Sequence, residues 1–195
     1  MRSVCVFCGA NAGHRPLLPE TARRTGRVIA ERGLTLIFGG GRVGLMGAVS
    51  AAARDANGRV VGVIPAALQK KELAYAGTEL TELIVVSSMH ERKARMAELA
   101  DGFIALPGGY GTFEEICEMI TWAQLGIHRK PCGLVNVAGY FDGLLAQFDR
   151  AVEEGLLHAP HRGLVVAAAT PEALLDAMGA WTPPPLEFQL DWRNT

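Results

Sequence analysis

The stretch Phe103-Ile104-Ala105-Leu106-Pro107-Gly108-Gly109-Tyr110-Gly111-Thr112 decides how the rest of the chain is read. Its first four residues are apolar throughout, as in a strand covered on both faces. Pro107 ends that strand. Gly108 and Gly109 can turn tightly and expose backbone N–H groups, and Gly111 allows close approach. Thr112 then stands where a helix N-cap belongs, with a helix expected over 112–126. Free N–H groups and the positive end of a helix dipole favour an anion such as phosphate. No Gly-Lys-Ser/Thr run follows, so this is not a Walker loop, and ATP hydrolysis is not expected.

Outward from this unit the same alternation repeats. Strand candidates are Val4–Phe7, Thr35–Phe38, Val60–Ile64, Leu83–Val86, Gly133–Asn136 and Leu164–Val166. Helices are expected near 17–32, 44–57, 89–100, 140–155 and 171–180. Strand–helix alternation of this kind predicts an α/β fold with a doubly wound, Rossmann-like, mostly parallel sheet and helices on both faces. Residues 1–181 are read as a single domain, with 182–195 a proline-rich tail that begins Thr182-Pro183-Pro184-Pro185.

The bulk numbers agree with one sizeable core. The chain has 195 residues, 49% of them hydrophobic. Nineteen basic against 20 acidic residues leave a net charge of −1, with no electrostatic footprint for nucleic acid or for an acidic membrane. Cys5 and Cys8 have C-x-x-C spacing, but no second ligand pair completes a zinc site. Cys5 also lies in the apolar run Val4–Cys8, which favours buried thiols. No disulfide scaffold is indicated. The segment before Gly9 is too short for a signal-peptide core, and no apolar run approaches the roughly 18 residues of a membrane span. A cytoplasmic protein is expected, without metal or cofactor.

Two other strand exits are glycine-rich: Gly9-Ala10-Asn11-Ala12-Gly13, and Gly39-Gly40-Gly41-Arg42-Val43-Gly44 continuing to Gly47. Gly39, Gly41 and Gly44 match the dinucleotide fingerprint. The next strand ends Val63-Ile64-Pro65, without the acidic residue that would hold a ribose, so nicotinamide redox chemistry is disfavoured. For this loop, nucleotide binding and close packing at a strand–helix turn both stand.

Two charged residues occupy unusual positions. Arg92 falls in the apolar stripe Met89, Met96, Leu99, Ala100, whereas Arg95 and Glu98 lie off it. An inward guanidinium needs an anion, either an internal carboxylate or a ligand phosphate, unless it snorkels to water. Glu115 follows Thr112 by three residues, and spacing alone favours a capping box. A carboxylate at the mouth of a phosphate loop is also placed to face a nucleotide's sugar. Glu114 and Glu118 are read as solvated. The five histidines show no metal spacing and are assigned to loops or the surface, and no nucleophile–base pair is evident. A carboxylate and an arginine beside a phosphate site suit water attack through a positively charged, sugar-like transition state.

These residues form a recognisable set. Met89-His90-Glu91-Arg92-Lys93-Ala94-Arg95-Met96, followed by Pro107–Glu115, resembles the LONELY GUY (LOG) family of cytokinin riboside 5′-monophosphate phosphoribohydrolases. The likeness continues through Ile120–His128, Lys130-Pro131, Gly133–Asn136 and Gly139-Tyr140-Phe141. Upstream, Phe7-Cys8-Gly9, Gly39-Gly40-Gly41 and Gly44–Gly47 also match. The resemblance implies hydrolysis of the N-glycosidic bond of a nucleoside 5′-monophosphate, giving free base and ribose 5-phosphate. It assigns catalysis to Arg92 and Glu115. The candidate substrate-binding set is Gly9, Gly40, Glu72, Met89, Lys93, Gly108, Gly109, Tyr110, Gly111, Thr112, Phe113, Glu114 and Thr121. The first loop departs from the family in lacking serines, which removes hydroxyl contacts to phosphate there. The resemblance also implies a homodimer whose contact surface includes the helix of Trp122 and Leu125. A lysine decarboxylase activity has no support, because no lysine sits in a recognisable pyridoxal-phosphate setting. The other readings are a general AMP or nucleotide nucleosidase with no hormone role, and a nucleotide carrier without catalysis.

Overall fold

The computed structural model describes residues 1–69 and 80–185. Glu72 and the end of the tail, 186–195, lie outside the described residues. Seven strands form one sheet: β1 Ser3–Phe7, β2 Thr35–Phe38, β3 Val60–Pro65, β4 Glu82–Val86, β5 Phe103–Ala105, β6 Cys132–Val135 and β7 Val165–Ala168. Every pairing is parallel and the order is β4-β3-β2-β1-β5-β6-β7. The expected sheet is therefore present. Between its strands run α1 Leu17–Glu31, α2 Gly44–Asp55, the single turn α3 Ala66–Leu68, α4 Met89–Leu99, α5 Tyr110–Gln124, α6 Asp142–Glu153 and α7 Pro171–Ala180.

Alternation along each strand divides the core in two. Val4, Val6, Leu36, Phe38 and Ile104 face a layer built by α1, α2 and α7. Cys5, Phe7, Ile37, Phe103 and Leu134 face the layer of α4, α5 and Phe141. Cys5 and Cys8 belong to different layers, both buried, so the C-x-x-C pair is core material. Burial drives both thiols above the ordinary cysteine value, which keeps them protonated.

Sequence and structure differ in the fine detail of several ends. The last strand runs Val165–Ala168, starting one residue and ending two residues later than the expected Leu164–Val166, because a 3-10 turn occupies Ala159–Leu164. The expected helix over 140–155 begins at Asp142, after a 3-10 turn at Val137–Gly139 in which Ala138 and Gly139 both take positive φ. The largest correction concerns α5. It begins at Tyr110 with Gly109 as its N-cap, so Thr112 is the third helical residue rather than the cap. The Thr112–Glu115 capping box is therefore not formed, and Glu115 is free of that role.

Strands 1 to 4 are laid down in one direction from β1, and β5 to β7 in the other. β1 and β5 are thus neighbours whose following loops diverge, leaving a crevice at their carboxyl ends. Doubly wound sheets bind their ligands in such a crevice.

Candidate active site

A cavity of about 350 Å³ fills this crevice. Cys8, Gly9, Ala10 and Asn11 from the β1 loop form one wall, and Gly109, Gly111 and Thr112 from the start of α5 form the opposite wall. Met46 from α2 and Met89 from α4 contribute thioethers. Arg92, Glu114 and Glu115 supply the charges.

The α5 loop is shaped so that its glycines have separate tasks. A Cβ on Gly108 would overlap the Thr112 hydroxyl and crowd the amide of Gly9, so this glycine lets the two loops close on one another. The Gly9 amide donates to the Pro107 carbonyl at 3.0 Å, which ties them together. Among the described residues, nothing lies within 4 Å of a Cβ built on Gly109 or Gly111. Both residues line the cavity, so the space beside them is available to a ligand. Helix geometry leaves the first N–H groups of α5 without intrahelical acceptors, and the helix dipole adds positive potential at the same place.

Arg92 is the buried charge of α4. That helix is capped by Ser88, whose hydroxyl accepts from the Glu91 amide at 3.1 Å. One turn later Arg92 points inward and is 9% exposed. Its guanidinium lies directly against the Gly39 Cα: a Cβ there would overlap Nη2. Nη1 reaches the Met89 sulfur at 3.8 Å, and Nε is buried without a hydrogen-bond partner among the described residues. Nη2 stands 3.6 Å from Glu115 Oε1. That distance attracts, but it is too long for a good hydrogen bond. The internal salt bridge and the ligand-seeking guanidinium, two readings left open by the sequence, are therefore both represented: a loose pair whose donors are under-used.

Glu115 is 8% exposed. Burial pushes its carboxyl up to about 7, against the pull of the Arg92 charge. A carboxyl that titrates near neutrality in a crevice can exchange between acid and base at the pH of the cell. Lys93 turns the other way. Its ammonium ion pairs with Glu114 and, at 3.0 Å, with Glu118. Burial works against that charge, yet the two carboxylates outweigh it and hold the pKa above the ordinary lysine value. Glu118 is half-buried and holds this lysine, a correction to its reading as a solvated residue.

The other candidates fall in several places. Gly9, Met89, Gly109, Gly111, Thr112 and Glu114 line the cavity. Tyr110 is 95% exposed at the tip of α5. Phe113 packs edge-on against Phe141, with centroids 6.1 Å apart. Gly40 is buried with φ of 74°, where a Cβ would press on Ile64, and it does not line the cavity. Thr121 lies more than two turns further along α5, where its hydroxyl donates to the Cys117 carbonyl at 2.8 Å. It lines a second hollow, of about 240 Å³, between α5, α6 and the 3-10 turn before β7. Sequence reasoning missed Cys8, Ala10, Asn11 and Met46 as wall residues. The glycine-rich β1 exit signalled three of them. Nothing in the spacing of Met46 marked it.

The family described as "Possible lysine decarboxylase" matches residues 46–178. The chain is 52% identical to "Probable cytokinin riboside 5'-monophosphate phosphoribohydrolase LOGL5" of Oryza sativa subsp. japonica, over 98% of this chain and 78% of that protein. It is 45% identical to "Cytokinin riboside 5'-monophosphate phosphoribohydrolase LOG2" of Arabidopsis thaliana, over 100% of this chain and 91% of that protein. Among solved structures, the molybdenum cofactor carrier protein of Chlamydomonas reinhardtii superposes with a TM-score of 0.68 at 21% identity, covering 91% of this chain and 96% of that one. At that identity the likeness concerns the fold.

Proposed function

This chain belongs to the LONELY GUY family of phosphoribohydrolases, and from that premise we propose that it hydrolyses the N-glycosidic bond of cytokinin nucleoside 5′-monophosphates. The products are the free base and ribose 5-phosphate. The observation that carries the site assignment is the buried Arg92–Glu115 pair in the cavity wall, beside the open N-terminus of α5. The N–H groups at Gly109–Thr112 hold the 5′-phosphate. Breaking the glycosidic bond leaves positive charge on the sugar, and the Glu115 carboxylate stabilises that charge, orients the attacking water, or does both. Arg92 offers its unused donors to the nucleotide and favours the ionised form of Glu115, against the effect of burial.

Residues 1–181 act as one unit in this reading, with 182–195 a tail. Thr121 cannot join this cavity from its place on α5, and α6 has no fully buried residue. Both facts support a homodimer built on the α5–α6 face, with Thr121 reaching the partner's substrate. The thiols of Cys5, Cys8, Cys117 and Cys132 are free, in keeping with a cytoplasmic setting. Among the described residues, no helix is long and apolar enough to cross a membrane.

The test is product analysis against a panel of nucleoside monophosphates. Free base and ribose 5-phosphate should appear together, and isopentenyl-AMP should be preferred to AMP. Equal or better use of AMP would make the protein a general nucleotide nucleosidase. Absence of base from every monophosphate would overturn the proposal.

A further inference from the structure

We propose that Tyr140 is a positioning residue that sets the direction of the phosphate-binding amide of Gly109. The inference rests on the reading of the α5 loop as a phosphate site. It begins with a contact from outside the cavity: the Tyr140 hydroxyl donates to the Gly108 carbonyl at 2.5 Å. Tyr140 follows β6, and neither it nor Gly108 lines the cavity, whereas Gly109 does. The peptide between Gly108 and Gly109 is planar and trans, so its C=O and N–H point in opposite directions. Holding the carbonyl toward Tyr140 turns the Gly109 N–H away from Tyr140, toward the cavity side. Glycine stands on both sides of this peptide, so no side chain of its own restricts the rotation. Donation to the carbonyl also polarises the peptide and makes its N–H a stronger donor to an anion.

The turn that carries Tyr140 is built to hold it. The Asn136 side chain accepts from the Phe141 amide at 2.7 Å and donates to Asp142 at 2.7 Å. Ala138, a residue that rarely takes positive φ, has φ of 51°, followed by Gly139 at 72°. Unusual backbone of this kind persists only where the surroundings over-determine it. The Tyr140 ring meets Phe141 edge-on at 5.1 Å, and Phe141 is fully buried against Phe113 of α5. The turn is thus fastened to the same helix whose N-terminus it orients.

The test compares Tyr140→Phe, which keeps the ring and removes the donor, with Tyr140→Ala, which removes both. For Tyr140→Phe we expect KM for the monophosphate substrate to rise roughly tenfold while kcat stays within about threefold. Binding of ribose 5-phosphate, measured by calorimetry, should weaken by the same factor. Inhibition by adenosine, which has no phosphate, should be unchanged, as should Tm. Tyr140→Ala should weaken ribose 5-phosphate at least as much. Wild-type behaviour of Tyr140→Phe would overturn the proposal, even if Tyr140→Ala were impaired, because the ring alone would then matter. Equal weakening of adenosine and ribose 5-phosphate would also overturn it. If wild-type protein releases no base from any monophosphate, the activity reading fails on its own, and the ribose 5-phosphate comparison still decides the role of Tyr140.

Discussion

The loop after β2 and the loop after β5 leave the same edge of the sheet, and both are rich in glycine. Side chains added to them would meet very different surroundings. On Gly39 a Cβ would strike the Arg92 guanidinium; on Gly44, at φ of 61°, it would strike the backbone of Ala10. On Gly109 and Gly111 it would meet none of the described residues. The β2 loop is glycine-rich because the protein itself occupies the space: Gly39 seats the arginine, and Gly44 lets α2 close on the β1 loop, where the Leu45 amide donates to the Gly9 carbonyl at 3.0 Å. In the β5 loop Gly108 is likewise packed, against Thr112 and the β1 loop, whereas Gly109 and Gly111 border space that is left open. Composition alone does not separate a packing loop from a binding loop; what stands in front of each Cα does.

The most severe way to test the site that both loops serve is Glu115→Gln, which keeps the shape and removes the charge. Turnover should fall by roughly 10³-fold, with the fold retained, as followed by base release and circular dichroism. Near-normal turnover would remove Glu115 from catalysis. Gly39→Ala comes next, with a loss of about 10²-fold in kcat/KM. The obstructing atom belongs to the far end of a flexible side chain, so the fold should survive while Arg92 is displaced. Gly44→Ala is the control within the same loop. Its obstruction is backbone and its φ is positive, so Tm should drop and unfolding stability should fall by about 2 kcal/mol or more. If Gly39→Ala instead unfolded the protein and left the activity of the folded fraction intact, the β2 loop would have no part in seating Arg92.

Gly109→Ala tests the open loop. No atom of the described residues opposes it, so Tm should hold. The added methyl enters the ligand's space, and KM should rise about tenfold with a smaller change in kcat. A loss of stability without a change in KM would erase the distinction between the two loops.

Much of this was legible in the sequence, for reasons that can be named. Strands such as Val60–Pro65 are apolar throughout because both faces are covered, and that signal is strong. Arg92 was legible because it interrupts an otherwise apolar stripe. The role of Gly39 was not legible: its spacing matched a dinucleotide fingerprint, whereas its reason is a side chain 53 positions later in the chain. Thr112 misled because Thr-x-x-Glu is a capping signal, yet Gly109 caps the helix and Thr112 is buried within it. Local spacing carries no record of where a helix begins when a glycine can cap it. Tyr140 was visible only as part of a motif, because its acceptor lies on a different strand exit.

The finest prediction links the two loops through a proton. Glu115 titrates near 7 because burial outweighs the charge of Arg92. If the carboxylate is the working form, kcat/KM should climb with pH through that value, about fourfold between pH 6.5 and 8. Stability should run the other way. A carboxyl whose folded pKa lies above its ordinary 4.5 favours the folded state most at low pH, and this contribution is lost as pH rises from 4.5 through 7. Arg92 lowers the Glu115 pKa only while Gly39 lets it stand close. The residual activity of Gly39→Ala should therefore show its rise displaced to higher pH, by about one unit or less. An unmoved profile would mean that Arg92 keeps its place despite the added methyl, and that the crowding in the β2 loop has no bearing on the proton of Glu115.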